Sequence, residues 1–201
     1  MTLIKSISGI RGTIGGKTAD NLTPVDAVKF AASYGTWLKE YSKEDDLTVV
    51  IGRDARLSGE MIQNLVTSTL VGLGINVIDL GLSTTPTVEI AVPLKKAHGG
   101  IILTASHNPK QWNALKLLNE KGEFLDAEQG KKILEIAENE AFDFAEVDDL
   151  GEINTNDTFI EKHIEEVLDL SLVDAQTIRD KNFKVVVDGV NSTGGIAIPQ
   201  L

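Results

Sequence analysis

The sequence predicts an α/β fold, a layer of strands with helices on both faces, and three observations carry that prediction. Short apolar runs at 47–51, 75–80 and 99–103 are separated by segments of helical spacing. Glycine, proline, serine or threonine stands at the transitions. Beyond a polar stretch at 148–157, another apolar run at 183–188 leads into a glycine-rich turn. The first two observations predict one domain over residues 1–155. The third predicts that 156–201 begin a second, similar α/β domain, because one strand and one turn cannot bury a core of their own.

In chain order, Pro24 to Tyr41 carries apolar residues at helical spacing, with Thr23 as N-cap and Pro24 at the first helical position. Leu47 to Ile51 reads as a strand, and Ser58 is placed to cap a helix that carries Met61, Ile62, Leu65, Leu70 and Val71 and ends near Gly72 or Gly74. Ile75 to Leu80 is a strand, Thr87 to Lys96 a helix and Gly99 to Leu103 a buried strand. The segment Leu117 to Leu125 reads as a hairpin turning at Lys121-Gly122, followed by a helix from Ala127 to about Glu140. A linker is expected over Asp148 to Asp157, then an amphipathic helix from Thr158 to Leu170, a strand over Phe183 to Asp188 and a turn over Gly189 to Gly195.

Composition limits the function classes. The apolar and charged fractions are those of an ordinary globular protein, no apolar run approaches bilayer length, and the N-terminus lacks the apolar core of a secretory signal. The absence of cysteine removes disulfide and thiolate chemistry and fits a cytoplasmic protein. The net charge of −11 is unevenly placed: residues 1–118 carry 12 Lys+Arg against 10 Asp+Glu, whereas residues 119–180 carry 5 against 19. Apolar residues interleave with the acidic ones, so that stretch reads as solvated helix faces. No contiguous basic surface is available to neutralise nucleic-acid phosphates.

The chemistry concentrates at Thr104-Ala105-Ser106-His107-Asn108-Pro109. Asn108-Pro109 forces the chain out of the preceding strand and presents Ser106 at its carboxyl end, the edge at which open α/β sheets bind ligands. The same residues also make an ordinary turn. Gly15-Gly16-Lys17-Thr18 ends like a nucleotide-binding loop, but Arg11 stands where the motif needs glycine. Ser106 beside His107 is poor geometry for a hydrolase, and no G-x-S-x-G elbow is present. His98 and His163 lack metal-ligand spacing.

Other segments keep Ser106 company: Ser8-Gly9-Ile10-Arg11-Gly12, Gly52-Arg53-Asp54-Ala55-Arg56-Leu57-Ser58-Gly59, Thr84-Thr85-Pro86-Thr87 and Trp112-Asn113-Ala114-Leu115-Lys116. In this order and spacing they resemble the α-D-phosphohexomutase superfamily, which includes phosphoglucomutase, phosphomannomutase and phosphoglucosamine mutase. The resemblance implies a three-layer α/β/α first domain with a mixed sheet, the phosphoserine domain, followed by the opening of a second at Val186-Val187-Asp188-Gly189. It also implies an intramolecular phosphotransferase that interconverts hexose 1-phosphate and hexose 6-phosphate through a phosphoserine and a hexose 1,6-bisphosphate. Ser106 would be the carrier and, through its phosphate, a ligand of Mg²⁺. The other ligands resemble an aspartate loop that lies beyond Leu201 in such proteins, so residues 1–201 alone are expected to be inactive. They are also expected to expose an apolar patch where the rest of the second domain would pack, a patch that would drive dimerisation or leave the segment after about Asn156 poorly ordered or packed against a neighbouring molecule.

Helper roles follow. Arg11 on its glycine-rich loop can grip a phosphate bidentately, and Lys116 can act as general acid and base or as a charge clamp. His107 is read as an orienting or proton-exchanging residue, or as a plain turn residue. Asn108 is expected to hold the loop by side-chain to backbone bonding, and Arg53 to pair with Asp54. Many superfamily members carry Tyr-Asn-Gly where this chain has Trp112-Asn113-Ala114. A catalytically silent sugar-phosphate binder is the alternative. The choice among glucose, mannose and glucosamine phosphates, and the oligomeric state, are left open by these residues.

Overall fold

The computed structural model describes residues 1–201 apart from 7, 8 and 43. Its sheet holds β1 (Ile4–Ser6), β2 (Gly9–Thr13), β3 (Thr48–Arg53), β4 (Asn76–Leu82), β5 (Gly99–Leu103), β6 (Trp112–Leu118) and β7 (Ile153–Thr155) in the spatial order β1-β2-β6-β5-β3-β4-β7. The pairings β5-β3, β3-β4 and β4-β7 are parallel, and β1-β2, β2-β6 and β6-β5 are antiparallel. The sheet is therefore mixed.

Helices cover both faces, because the central strands are apolar on both sides. On β3, Val49 and Ile51 face one core and Val50 the other; on β5, Ile101 and Leu103 oppose Ile102 in the same way. A strand buried on both faces reads as a continuous apolar run instead of an alternating one. Helices α1 (Pro24–Ser42), α2 (Gly59–Gly72) and α4 (Ala127–Asn139) supply Phe30, Trp37, Val66, Leu70 and Ile133 to the larger core. Helix α3 (Thr85–Leu94) closes the opposite face with Val88, Ala91 and Val92, and Phe159 of α5 (Phe159–Leu168) joins that core. The three-layer α/β/α architecture follows from this two-sided burial.

Local signals set the helix ends. Thr23 caps α1 reciprocally: its hydroxyl accepts from the Asp26 N–H at 3.4 Å, while the Asp26 carboxylate accepts the Thr23 N–H at 3.0 Å. Asp126 and Gln129 form the corresponding box on α4. Helix α3 begins at Thr85, two residues before the position expected, because Thr84 is its cap and Pro86 fits its first turn. Ser58 precedes α2 as expected but does not cap it through its side chain; its hydroxyl instead accepts from Asn113 Nδ2 at 2.9 Å.

Five further segments differ from the sequence reading. Residues 112–116 form the first part of β6, and the turn after it is closed by a single Leu118–Phe124 bridge with Gly122 at φ +76°. Within the expected linker lie a 3₁₀ turn at Val147–Asp149 and strand β7, which adds in parallel to β4. Seven residues give no long periodicity to read, and α6 (Ala175–Lys181) was therefore missed. Residues 183–189 are not a strand. A strand needs a neighbour for its backbone donors and acceptors, and Val185, Val186 and Val187 are instead 73, 92 and 51% exposed. This is the expected apolar surface, and a groove of about 490 Å³ lies between Val185, Val187, Ile198 and Leu201. After it, Gly194–Ala197 forms one helical turn, α7, where an open glycine turn was expected.

Candidate active site

The site forms where β5 and β3 end at the carboxyl edge of the parallel strands and where β6 and β2 run beside them. Leu103 leads directly into Thr104, and the Thr104 N–H bonds the Ala114 carbonyl of β6 at 3.2 Å. In the sheet register Arg11 lies opposite Ala114, and Gly9 opposite Lys116. Gly9 must be glycine: its φ is +135°, and a Cβ there would stand 2.1 Å from the Leu115 carbonyl oxygen. Its neighbour Ser8 lies outside the described residues.

Ser106 is exposed and sits at φ +54°, a left-handed conformation that costs a residue with a side chain on the order of 1–3 kcal/mol. The turn is held from inside. The Asn108 N–H closes onto the Ala105 carbonyl at 3.0 Å, and the Ser106 N–H donates to Thr104 Oγ1 at 3.0 Å. The Ser106 hydroxyl makes no hydrogen bond to a described residue. A cavity of about 180 Å³ adjoins it, lined by Arg11, Thr104, Ser106 and Lys116 with Gly9 and Ala114.

The Arg11 guanidinium lies 5.9 Å over the Trp112 ring and donates one hydrogen bond, from Nη1 to Asn108 Oδ1 at 3.3 Å. Its other donors have no partner among the described residues. Asn108 thus holds the arginine through its side chain, not the loop backbone as expected. Lys116 Nζ lies 5.7 Å from the centre of the Phe124 ring. Burial pushes the nearby Glu89 carboxyl above the usual range, and the Lys116 charge partly opposes that rise. His107 is exposed and outside the cavity lining.

The expected Arg53–Asp54 pair is not formed through side chains. Arg53 Nε donates to Gln63 Oε1 at 2.6 Å, and its Nη1 reaches only the Asp54 main-chain carbonyl at 3.3 Å. Gln63 in turn donates to Asp79, so Arg53 is tied to α2 and β4, away from the cavity. Arg56 takes its place: Nε donates to Asp54 Oδ2 at 3.0 Å, and Asp54 Oδ1 accepts the Arg56 N–H at 3.1 Å. Asp54 Oδ2 also accepts from Thr104 Oγ1 at 2.6 Å. The remaining Arg56 donors reach main-chain carbonyls of the serine loop. Sequence spacing alone does not decide which of two arginines flanking an aspartate will pair with it, and so the parts played by Arg56 and Thr104 were not read.

The arrangement can hold an anion. A hydroxyl with no partner among the described residues and a guanidinium with free donors meet, with Lys116 also in the lining, at a space sized for a phosphoryl group, below the roughly 300–1,000 Å³ of pockets that enclose a whole small molecule. Among the described residues no cluster of three His, Asp or Glu side chains stands together, and no helix is long and apolar enough to cross a membrane.

Comparison with known proteins bears on this geometry. The domain described as phosphoglucomutase/phosphomannomutase, alpha/beta/alpha domain I, matches residues 3–144. A phosphoglucomutase/phosphomannomutase of Thermococcus kodakarensis is 37% identical over 192 residues, covering 94% of this chain and 41% of that protein. A phosphoglucosamine/phosphogalactosamine mutase of Sulfurisphaera tokodaii is 32% identical over 192 residues, covering 95% and 40%. The open form of parafusin, a phosphoglucomutase of Paramecium, superposes with a TM-score of 0.74 at 18% identity, covering all of this chain and 42% of that one, a likeness of fold. The chain spans about two fifths of the length of the curated relatives it matches.

Proposed function

Because this chain belongs to the phosphoglucomutase/phosphomannomutase family, we propose that Ser106 is the phosphoryl carrier of a phosphohexomutase of which residues 1–201 form the phosphoserine part. The observation that carries this reading is the exposed Ser106 hydroxyl at positive φ, beside a cavity lined by Arg11 and Lys116. A glycine would sit there without cost, yet the position carries a hydroxyl, and strain kept at such a position points to use of that hydroxyl.

In the reaction, the phosphoserine donates its phosphoryl group to the free hydroxyl of a hexose monophosphate. The P–O bond to Ser106 breaks as the bond to the sugar oxygen forms, and the sugar hydroxyl loses its proton to a base. The Ser106 oxygen takes up a proton as it is released, and the hexose 1,6-bisphosphate then reorients: its other P–O bond breaks as the bond to Ser106 re-forms, and the serine proton ends on the sugar oxygen left behind. Arg11 meets the phosphate oxygens with its free donors, and Lys116 acts as charge clamp or proton carrier beside the transferring group. Asn108 and Trp112 hold Arg11 in place. His107, on the solvent side of the turn, is a candidate to approach the substrate from outside, and Arg53 ties the end of β3 to α2 and β4 through Gln63 and Asp79.

Mg²⁺ is the metal proposed for this chemistry, supplying charge neutralisation at the transferring phosphoryl group. The residues in hand do not make its site alone. Ser106 offers one oxygen, and the Asp54 carboxylate is taken by Arg56 and Thr104, whereas Mg²⁺ demands near-octahedral coordination. We place the other ligands, and the residues that read the sugar, outside residues 1–201, and therefore expect this chain by itself not to isomerise glucose 1-phosphate.

Intact-mass measurement of the full-length protein isolated from cells, before and after phosphatase treatment, tests the carrier. One phosphate mapped to Ser106 is expected. Full-length protein that never carries it and isomerises no hexose phosphate with any bisphosphate primer would instead be a silent sugar-phosphate binder.

A further inference from the structure

We propose that Arg56 is the positioning residue of the serine loop, a fork that fixes Ser106 for transfer without itself touching the substrate; this rests on the reading of Ser106 as carrier. A guanidinium has five N–H donors. Each has an acceptor here: Nε reaches Asp54 Oδ2 at 3.0 Å, Nη1 reaches the carbonyls of Pro109 at 3.0 Å and Trp112 at 3.1 Å, and Nη2 reaches those of Ser106 at 2.7 Å and Asn108 at 2.9 Å. Nothing is left for a ligand. The Arg56 side chain is only 11% exposed, so removing these partners would strand a charge in a site with little water.

The four carbonyls span the loop from the strained serine to the first residue of β6. Residues 106–112 have few other anchors: the Asn108 N–H on Ala105, the Ser106 N–H on Thr104, the Trp112 N–H on Pro109, the Gln111 carbonyl accepting from the Ile14 N–H, and Asn108 Oδ1 accepting from Arg11. One planar group therefore ties both ends of the loop to Asp54 at the end of β3. It also fixes Trp112, whose ring carries Arg11, so the phosphate grip and the nucleophile share one support. Charge-assisted bonds in a fixed fork are stronger and more directional than an ammonium can make, so lysine at this position is not a conservative replacement.

The test compares Arg56→Lys and Asp54→Asn in the full-length enzyme. Arg56→Lys is expected to lower kcat by about 100-fold, the order that misplacement of a reacting group by an ångström costs, with KM changed by less than about threefold. Amide exchange of residues 106–112 should accelerate by about tenfold or more, with the strands unaffected. Asp54→Asn keeps the four carbonyl bonds and should accelerate the loop and lower kcat less than Arg56→Lys does. Wild-type kcat and unchanged loop exchange in Arg56→Lys would overturn the proposal. So would equal effects of the two variants, which would assign the loop's support to the ion pair. The exchange measurement needs no turnover: if wild-type enzyme carries no phosphate on Ser106, the carrier reading fails while the hold of Arg56 on the loop is still decided.

Discussion

Two arginine clusters share one edge of the sheet and differ in how much hydrogen-bonding capacity they leave unused. Around Arg56, every guanidinium donor, both Asp54 oxygens and the Thr104 hydroxyl are paired within the protein. Around Arg11, one long bond to Asn108 is the only hydrogen bond of its guanidinium among the described residues, and neither the Ser106 hydroxyl nor Lys116 Nζ is hydrogen-bonded to any of them. Burial separates only the serine: Ser106 is exposed, whereas Arg11 and Lys116 are partly buried like Arg56 and Asp54. A saturated cluster stabilises a shape, whereas an open one holds donors ready for a ligand. The contrast separates residues of the same type by use, which residue identity cannot do.

The sharpest way to break this comparison is at the open side. Ser106→Ala in the full-length enzyme is expected to reduce isomerisation by at least about a thousandfold, as loss of a covalent nucleophile does. Its unfolding midpoint should stay within about 0.5 kcal/mol of wild type, because only an exposed hydroxyl is removed. Near-wild-type turnover would move the carrier to another residue. At the closed side, Thr104→Val removes the hydroxyl that donates to Asp54 and accepts from the Ser106 N–H. Leaving those partners unsatisfied should destabilise the fold by about 1–3 kcal/mol. Chemical denaturation measures it, and a neutral result would mean that water replaces the hydroxyl and the cluster is not saturated.

Much of the framework was legible because it is written in local signals. Gly99–Leu103 is a run apolar on every residue and needs no partner information to be read as a buried strand, and Thr23-Pro24 marks a helix start by itself. What was not legible depends on partners remote in sequence. β7 is three exposed residues whose strand character comes only from lying beside β4. Conversely, Phe183–Asp188 has the composition of a strand and lacks a neighbour to make it one. In the site, the serine turn and the basic residues could be named from their spacing. The Arg56 fork could not, because four of its five bonds go to main-chain carbonyls 50 to 56 residues away, and a carbonyl carries no sequence signal.

Ser106→Gly sharpens the comparison from the side of strain. Glycine relieves a left-handed φ that costs about 1–2 kcal/mol but gains roughly 0.4–1 kcal/mol of unfolded-state freedom. The variant should therefore be up to about 1 kcal/mol more stable than Ser106→Ala, and equally inactive. A glycine variant less stable than the alanine one by roughly 0.4–1 kcal/mol would mean that the loop bears no strain at Ser106.

The smallest expected effect concerns Lys116 and its half-buried neighbour Glu89 on α3. Burial raises the Glu89 carboxyl and the Lys116 charge lowers it, the first being the larger influence. Removing the charge in Lys116→Met leaves burial unopposed, so the Glu89 pKa should rise further, a shift that carboxyl ¹³C titration can follow. The sign of the linked stability change is fixed. With its folded value above the unfolded one, Glu89 binds more protons in the folded state between the two, so its contribution to stability falls as pH rises through that window and is level above it. In Lys116→Met the upper end of the window moves to higher pH, and the fall in stability should continue further toward neutrality than in wild type. A Glu89 pKa that stays put or falls would mean that the Lys116 ammonium lies out in the cavity with no influence on α3. The open cluster would then be more open than its contacts suggest.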